Sequence, residues 1–109
     1  MSDNPVPTIG RIVHYTLSEA DAEQVNRRRE DADIYRRKIS PGERSGKQIH
    51  TGNNVAAGDV YPMVIVRTWG STTDSVVNGQ VLLDGNDTLW VTSVGCGEGQ
   101  RRFVWPTRN

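Results

Sequence analysis

The stretch from Val77 to Ser93, VNGQVLLDGNDTLWVTS, constrains the fold more than any other part of the chain. Two apolar runs flank Asp84-Gly85-Asn86-Asp87, a cluster of glycine and polar residues that is typical of a tight hairpin. The sequence therefore predicts two antiparallel strands, Val77–Leu83 and Thr88–Val94. A turn needs only glycine with one Asn or Asp. The additional polar side chains either serve the turn alone or also contact a ligand.

Three other segments have the residue pattern of strands. The first is 9–15, IGRIVHY, and the second is 60–69, in which Pro62 lies near the start, where a missing N–H matters least. The third is 101–105, which ends before Pro106. Together with the hairpin, these segments predict a β-core of about five strands.

The fourth strand has apolar residues on both faces. Strict alternation places Leu89, Val91 and Ser93 on one face, and places Trp90, Thr92 and Val94 on the other. We expect one face to be covered by the barrel interior or the helix, and the other by a second subunit.

A single long helix is predicted between the first two strands. Ser18 begins the motif SEAD, a capping box in which Asp21 replaces the usual Glu or Gln and is expected to reach the backbone less well. No Gly or Pro interrupts the chain up to Ile39, and Ser40-Pro41-Gly42 ends the helix. The apolar stripe is thin and recurs every seven residues, at Val25, Ala32 and Ile39. Such a helix lies on the sheet by a narrow seam or pairs with its copy in another subunit.

These elements predict an α+β fold: a small curved antiparallel sheet or SH3-like barrel with one long helix inserted after the first strand. The 109 residues form a single domain, with a strand at 9–15, a helix at 18–40, a loop at 41–59 and a β-core at 60–105. A loop of this length is usually functional or mobile, and it contains His50, Asn53 and Asn54.

Composition excludes several classes of function. The 13 basic and 13 acidic residues cancel, which removes bulk electrostatics as an argument for long nucleic acid or an anionic membrane. Cys96 is the only cysteine, so a CxxC metal cage and an internal disulfide are excluded. The N-terminus does not resemble a signal peptide, and the longest apolar run, Met63–Val66, is too short to cross a bilayer. We expect the protein in the cytoplasm.

Catalytic motifs are missing from the sequence. It has no GxSxG, Walker loop, HExxH or GxGxxG. Cys96 lies in a glycine-rich turn, but nothing places His14 or His50 beside it as a base. The two histidines do not have the spacing of metal ligands. We therefore expect neither an enzyme nor a cofactor.

The sequence is instead rich in groups that suit a planar, anionic small molecule. Arginines form bidentate contacts with phosphate and stack on rings, tryptophans offer flat surfaces, and Asn or Asp side chains recognise base and ribose edges. The candidate ligand-binding residues are Arg28, Arg67, Trp69, Asn78, Asn86, Asp87, Trp90, Arg101, Arg102 and Phe103. Two other interpretations stay open: the tryptophans form the core, and Arg27–Arg29 belong to a solvated, salt-bridged helix surface rather than an anion site.

Three segments carry a resemblance to known proteins. PTIGRIVHYTLSEADAEQVNRRR, AAGDVYPMVIVRTWG and VNGQVLLDGNDTLWVTSV, with FVWP near the end, resemble a group of small phage and prophage proteins. A long helix followed by a β-core is also similar to the layout of the Thoeris anti-defence sponge proteins of phages. This second resemblance concerns architecture and residue types, so no binding residue is transferred by position.

The resemblance implies a homo-oligomer, a dimer or larger, that binds a cyclic ADP-ribose isomer or a cyclic oligonucleotide. Such a sponge sequesters the immune signal without cleaving it. Two rival classes fit the sequence equally well. One is a structural phage protein, such as a head–tail or tail accessory component. The other is an inhibitor that occupies a host factor with the outer face of Ser18–Ile39.

Overall fold

The computed structural model describes residues 4–38 and 51–107, apart from the side chains of 36–38. Residues 41–50 of the predicted loop, including His50, lie outside this range, as does the predicted helix stop at 40–42. The described elements follow the predicted order: β1 (Ile12–Thr16), α1 (Glu19–Lys38), β2 (Val60–Thr68), β3 (Val77–Leu82), β4 (Thr88–Cys96) and β5 (Arg102–Val104).

The five strands form a closed barrel in the order β1-β2-β3-β4-β5, with β5 returning to pair with β1. The predicted α+β fold, a small five-stranded barrel with one helix after the first strand, is confirmed. Four of the five strand pairings are antiparallel, and the fifth, between β4 and β5, is parallel. The short connection between them has a positive φ at Gly97, Gly99 and Arg101.

Strand β1 begins three residues later than predicted. Ile9 and Gly10 form a turn in which Gly10 has a φ of 92° and donates its N–H to the carbonyl oxygen of Ile65. Glycine adopts this left-handed conformation without steric cost, so the extended backbone starts only at Ile12.

The barrel interior is filled by aliphatic side chains and two aromatic rings. Met63 packs across Gly79, where an added Cβ would lie 2.4 Å from the Met63 Cγ. The fully buried positions of the strands are Val13, Tyr15, Met63, Ile65, Val77, Val81, Val94 and Phe103. Among them, Phe103 was predicted to bind a ligand. The structure places its ring in the barrel interior with no exposed surface.

The face assignment of β4 is corrected at Ser93. Leu89 and Val91 are buried and Trp90 is exposed, as alternation requires, but Val94 is also buried. Ser93 has a φ of 53° and forms a bulge, an extra residue in the strand. The extra residue shifts the alternation by one position, so Val94 rather than Ser93 follows Val91 on the buried face. Asn78 stabilises this bulge, since its Oδ1 accepts the N–H of Ser93 at 2.9 Å.

Helix α1 begins with a complete capping box. Ser18 Oγ accepts the N–H of Asp21 at 3.1 Å, and Asp21 Oδ2 accepts the N–H of Ser18 at 3.0 Å. The expected loss of reach from Asp in place of Glu is therefore not observed. The hydroxyl of Tyr15 also donates to Asp21 Oδ2, which ties the start of the helix to the barrel.

The helix contacts the barrel through a narrow seam, as its thin apolar stripe predicts. Ala22, Val25 and Ala32 are buried on it, and Arg29 occupies the same stripe. Asn26 adds a paired contact, because its side chain donates to the carbonyl and accepts the N–H of Val55, both at 2.8 Å. Within 4–38 and 51–107, no helix combines the length and apolar character needed to span a membrane.

Candidate functional site

The polar side chains of the Asp84–Asp87 turn bind the chain itself. Asn86 Oδ1 accepts the N–H of Thr51 at 2.9 Å, and Asp84 Oδ2 accepts a hydrogen bond from Asn53 Nδ2 at 2.7 Å. Asp87 Oδ2 accepts hydrogen bonds from Arg29 Nη1 at 2.7 Å and from Arg28 Nη1 at 3.0 Å. The extra polar groups of the turn therefore hold the 51–53 segment and the helix against the barrel.

This arrangement also accounts for the arginine cluster of the helix. The side chain of Arg29 is only 5% exposed, and an added Cβ at Gly52 or Gly85 would lie 3.0 or 2.8 Å from its Nη2. Two glycines thus lie close to Nη2 of the guanidinium, while its Nη1 donates to Asp87. Arg27 lies on the surface and pairs with Glu23. The predicted anion for Arg28 and Arg29 is supplied internally by Asp87.

Four of the predicted ligand-binding residues lie on the outer face of the barrel. Arg67, Trp69 and Asn78 contact one another there, and Trp90 lies on the same face. The Cζ of Arg67 lies 3.9 Å from the centre of the Trp69 ring, and the Trp69 indole donates to Asn78 Oδ1 at 3.0 Å. Trp90 lies opposite Gln80, which shares a face with Asn78 because the two are separated by one residue. Trp69 and Trp90 are 52% and 62% exposed, so this face is open to solvent.

The remaining predicted site residues lie elsewhere. Arg101 donates from Nη1 to the carbonyl oxygen of Thr92 at 3.2 Å, which holds the turn before β5 against β4. Arg102 lies beside Gly95 and Gly97. The sequence-predicted set is therefore divided among the helix contact, the outer face, the β4–β5 turn and the core, and it does not form one concave site.

Two grooves differ in the charge of their walls. A groove of about 370 Å³ lies beside the helix, and Arg29, Glu30 and Asp33 are among the residues that line it. Its carboxylates repel an anion, and Asp87 already neutralises Arg29. A second groove, of about 640 Å³, lies at the end of the barrel where β1 begins and β5 ends. We call it the barrel-end groove. The described residues that line it are Asn4, Pro5, Arg11, Ile12, Trp105, Pro106 and Thr107, and none of these is acidic.

An arginine and a tryptophan converge in the barrel-end groove. The Cζ of Arg11 lies 4.9 Å from the centre of the Trp105 ring, and Trp105 packs edge-on against Phe103. Among the residues that the structure describes, Arg11 has no carboxylate partner, and the buried indole N–H of Trp105 has no acceptor. An unsatisfied buried donor costs about 1–3 kcal/mol. Arg11 is exposed and therefore available to an anionic acceptor, whereas the indole N–H of Trp105 is a buried donor without an acceptor among the described residues.

Sequence reasoning missed Arg11 as a site residue and did not include Trp105 among the candidate ligand-binding residues. The two are 94 positions apart in the chain. They meet because β5 closes the barrel against β1, with His14 opposite Val104 and Tyr15 opposite Phe103. The only local signal is their position, Arg11 just before the first strand and Trp105 just after the last.

Cys96 has the environment of an unreactive thiol. Burial raises its pKa, and the nearby carboxylate of Asp74 raises it further. The thiol is therefore protonated at neutral pH, and the thiolate is the form that acts as a nucleophile.

Comparisons with protein-family models, with curated proteins and with solved structures find no match for this chain. In the part of the chain that the structure describes, no group of three or more His, Cys, Asp and Glu residues is placed to hold a metal ion. Function is therefore inferred from the geometry of the grooves and surfaces.

Proposed function

We propose that this protein binds a cyclic nucleotide immune signal, a cyclic ADP-ribose isomer or a cyclic oligonucleotide, and sequesters it without cleavage. In this proposal a phage produces the protein, and capture in the host cytoplasm keeps the host's defence effector inactive. The observation that carries the proposal is the barrel-end groove, in which the Arg11 guanidinium lies over the Trp105 ring without a carboxylate partner among the described residues.

The groove has a size and chemistry that suit such a ligand. Its volume of about 640 Å³ lies within the range of about 300–1,000 Å³ typical of small-molecule sites. Arg11 offers a fork of donors to a phosphate, and a base can stack on the free side of its guanidinium. Ile12, Pro5 and Pro106 supply apolar walls that exclude water from these contacts.

Sequestration requires affinity and no chemical step. A nucleotide held by an arginine, an indole N–H and apolar walls is bound by charge, stacking and desolvation. The proposal therefore assigns no catalytic residue, no metal and no cofactor.

The experiment is a binding panel of cyclic ADP-ribose isomers, cyclic dinucleotides and cyclic trinucleotides, measured by calorimetry with purified protein. Bound ligand is then released by heat and identified by chromatography. We expect uptake of at least one compound and its release intact. Release of a cleaved product would replace sequestration with an enzymatic activity. No uptake across the panel would reject the nucleotide proposal in favour of the structural or inhibitor classes.

Two variants test where on the protein the ligand binds. Arg11→Ala removes the guanidinium from the barrel-end groove, and we expect a loss of affinity of about 10- to 100-fold, the value of one charged hydrogen bond. Arg67→Ala is the matched control, because Arg67 also stacks on a tryptophan but on the open outer face. It should bind normally. The reverse result would assign the ligand to the outer face with Trp69 and Trp90.

A third variant tests the unsatisfied donor. Trp105→Phe keeps an aromatic ring against Phe103 and removes only the indole N–H and one ring. We expect weaker binding, and a loss of thermal stability that reflects only the packing of the removed ring, since the N–H has no acceptor among the described residues to lose. Unchanged affinity would show that the ligand does not use this donor.

A further inference from the structure

Asn4 carries the one side-chain amide among the described residues that line the barrel-end groove. Its Nδ2 donates to Cys96 Sγ at 3.7 Å. Cys96 is opposite Phe103 in the barrel register, and the ring of Phe103 packs against Trp105. The contact with Cys96 therefore ties the exposed Asn4 side chain to the strands from which the Trp105 wall of the groove is built.

The amide of Asn4 keeps both a donor and an acceptor for an external group. A primary amide carries two N–H donors on its nitrogen and an acceptor oxygen. The contact with Cys96 uses one N–H, and Asn4 forms no other hydrogen bond with the described residues. The second N–H and Oδ1 remain. This pair of groups is complementary to a ligand edge that presents one acceptor beside one donor.

Adenine presents such an edge. Its N7 accepts and its 6-amino group donates, so asparagine forms two hydrogen bonds with it, whereas guanine offers two acceptors, N7 and O6, on the same edge. A base stacked on the exposed face of the Arg11 guanidinium lies in the groove that Asn4 also lines. Arg11 attracts phosphate whatever the base. The hydroxyl of Thr107 is donor and acceptor in one rotating group, so it suits either purine.

We infer that Asn4 determines base specificity in the barrel-end groove and selects adenine. This inference rests on the proposed function, because it concerns the base of the nucleotide bound there. Arg11 contacts the phosphate and stacks on the base, and Asn4 reads the base edge through Oδ1 and its second N–H. A ligand without the 6-amino group loses one of these two hydrogen bonds and leaves two acceptors facing each other.

The test compares ligands that differ only in the group at position 6 of the purine. The probes are cyclic di-AMP with cyclic di-IMP, and a ribose-linked cyclic ADP-ribose isomer with its hypoxanthine counterpart. In hypoxanthine a carbonyl oxygen replaces the 6-amino group. In any pair that is taken up, the adenine member should bind about 10- to 100-fold more tightly, the value of one bidentate base contact.

Asn4→Ala should bind the two members of a pair equally, mainly through a loss of affinity for the adenine compound. A residue that only packed against Cys96 would lower both affinities and leave their ratio unchanged. Asn54→Ala is the matched control, because Asn54 is also an exposed asparagine but lines the groove beside the helix. It should keep the adenine preference of the parent protein.

The role of Asn4 and the proposed function fail in different ways. Uptake of nucleotides without a preference for adenine, or a preference that survives Asn4→Ala, would overturn the role of Asn4 and leave sequestration intact. If no cyclic nucleotide is taken up at all, both are rejected.

Discussion

Two arginines of this protein stand in opposite electrostatic environments. Arg29 is buried beside Asp87, with a hydrogen bond of 2.7 Å between Nη1 and Oδ2. Arg11 lies over Trp105 at the barrel end and has no carboxylate partner within 4–38 and 51–107. Arg29 contributes to stability, because the chain itself supplies the anion with which it pairs. Arg11 remains available for an anion from outside.

The largest expected effect follows from removing the internal anion. Asp87→Ala leaves Arg29 buried without its carboxylate, and Arg28 loses the same partner. Breaking a buried ion pair from one side costs about 3–5 kcal/mol, because the remaining charge stays desolvated. We expect a loss of this size in the free energy of unfolding, measured by urea titration.

The control is the surface pair of the same helix. Glu23 and Arg27 are 72% and 70% exposed, and Glu23→Gln should change stability by less than about 1 kcal/mol. If Asp87→Ala costs no more than Glu23→Gln, Arg29 does not depend on Asp87, and the contrast with Arg11 disappears.

A smaller effect is expected from the glycines that enclose Arg29. An added Cβ at Gly85 would lie 2.5 Å from the carbonyl oxygen of Thr51 and 2.8 Å from Arg29 Nη2. Gly85→Ala must displace backbone as well as the guanidinium, and overpacking of this kind costs about 1–3 kcal/mol. The urea midpoint should fall accordingly.

Gly95→Ala is the matched comparison in the barrel. The nearest atom to its added Cβ is Arg102 Nη1 at 3.6 Å, an ordinary contact with a flexible side chain. Stability should stay close to that of the parent protein. Equal effects at Gly85 and Gly95 would mean that the enclosure of Arg29 is loose.

The fold was predictable because its signals are local. Hydrophobic alternation, the Asp84–Asp87 turn and the Ser18 capping box each act within a few residues. The errors arose where one residue changed the phase of a strand. Ser93 forms a bulge and moves Val94 inside, and Gly10 delays the start of β1. The alternation of apolar and polar residues, which predicted the strands, detects neither change.

The site was harder to predict because it depends on pairing between distant residues. Residue type identified Arg28 and Asp87 as anion-binding and ligand-reading groups, yet they bind each other. Arg11 and Trp105 come together only through the pairing of β1 with β5, which closes the barrel. Without knowledge of which strands are neighbours, a sequence does not show which arginines are already neutralised.

The helix contact also predicts a dependence of stability on alkaline pH. Burial raises the pKa of Tyr15 above its usual value of 10, and the hydrogen bond to the Asp21 carboxylate raises it further. The folded state therefore favours the neutral phenol. This contribution to stability is fully present below the pH at which an unfolded tyrosine titrates, and it is lost as the pH rises above about 10.

Tyr15→Phe removes the phenol and tests this sign. At neutral pH we expect a loss of about 1 kcal/mol in the free energy of unfolding, the typical value of one hydrogen bond. Above pH 10, the advantage of the parent protein over Tyr15→Phe should shrink. An advantage that grows with rising pH would show that the phenolate is the favoured form, contrary to its contact with Asp21.

The smallest effect on stability is expected from Arg11→Ala. Its size shows whether the Arg11 side chain is available to bind an anionic ligand in the barrel-end groove. Arg11 is exposed and its contact in the groove is the Trp105 ring, so Arg11→Ala should lower the free energy of unfolding by at most about 1 kcal/mol. Arg29→Ala, measured in parallel, should cost more because it removes the 2.7 Å ion pair of the Asp87 carboxylate, which is 2% exposed and keeps its contact with Arg28. Equal losses would place Arg11 among the groups that hold the barrel closed, and an arginine committed to the fold in that way cannot turn to an external phosphate.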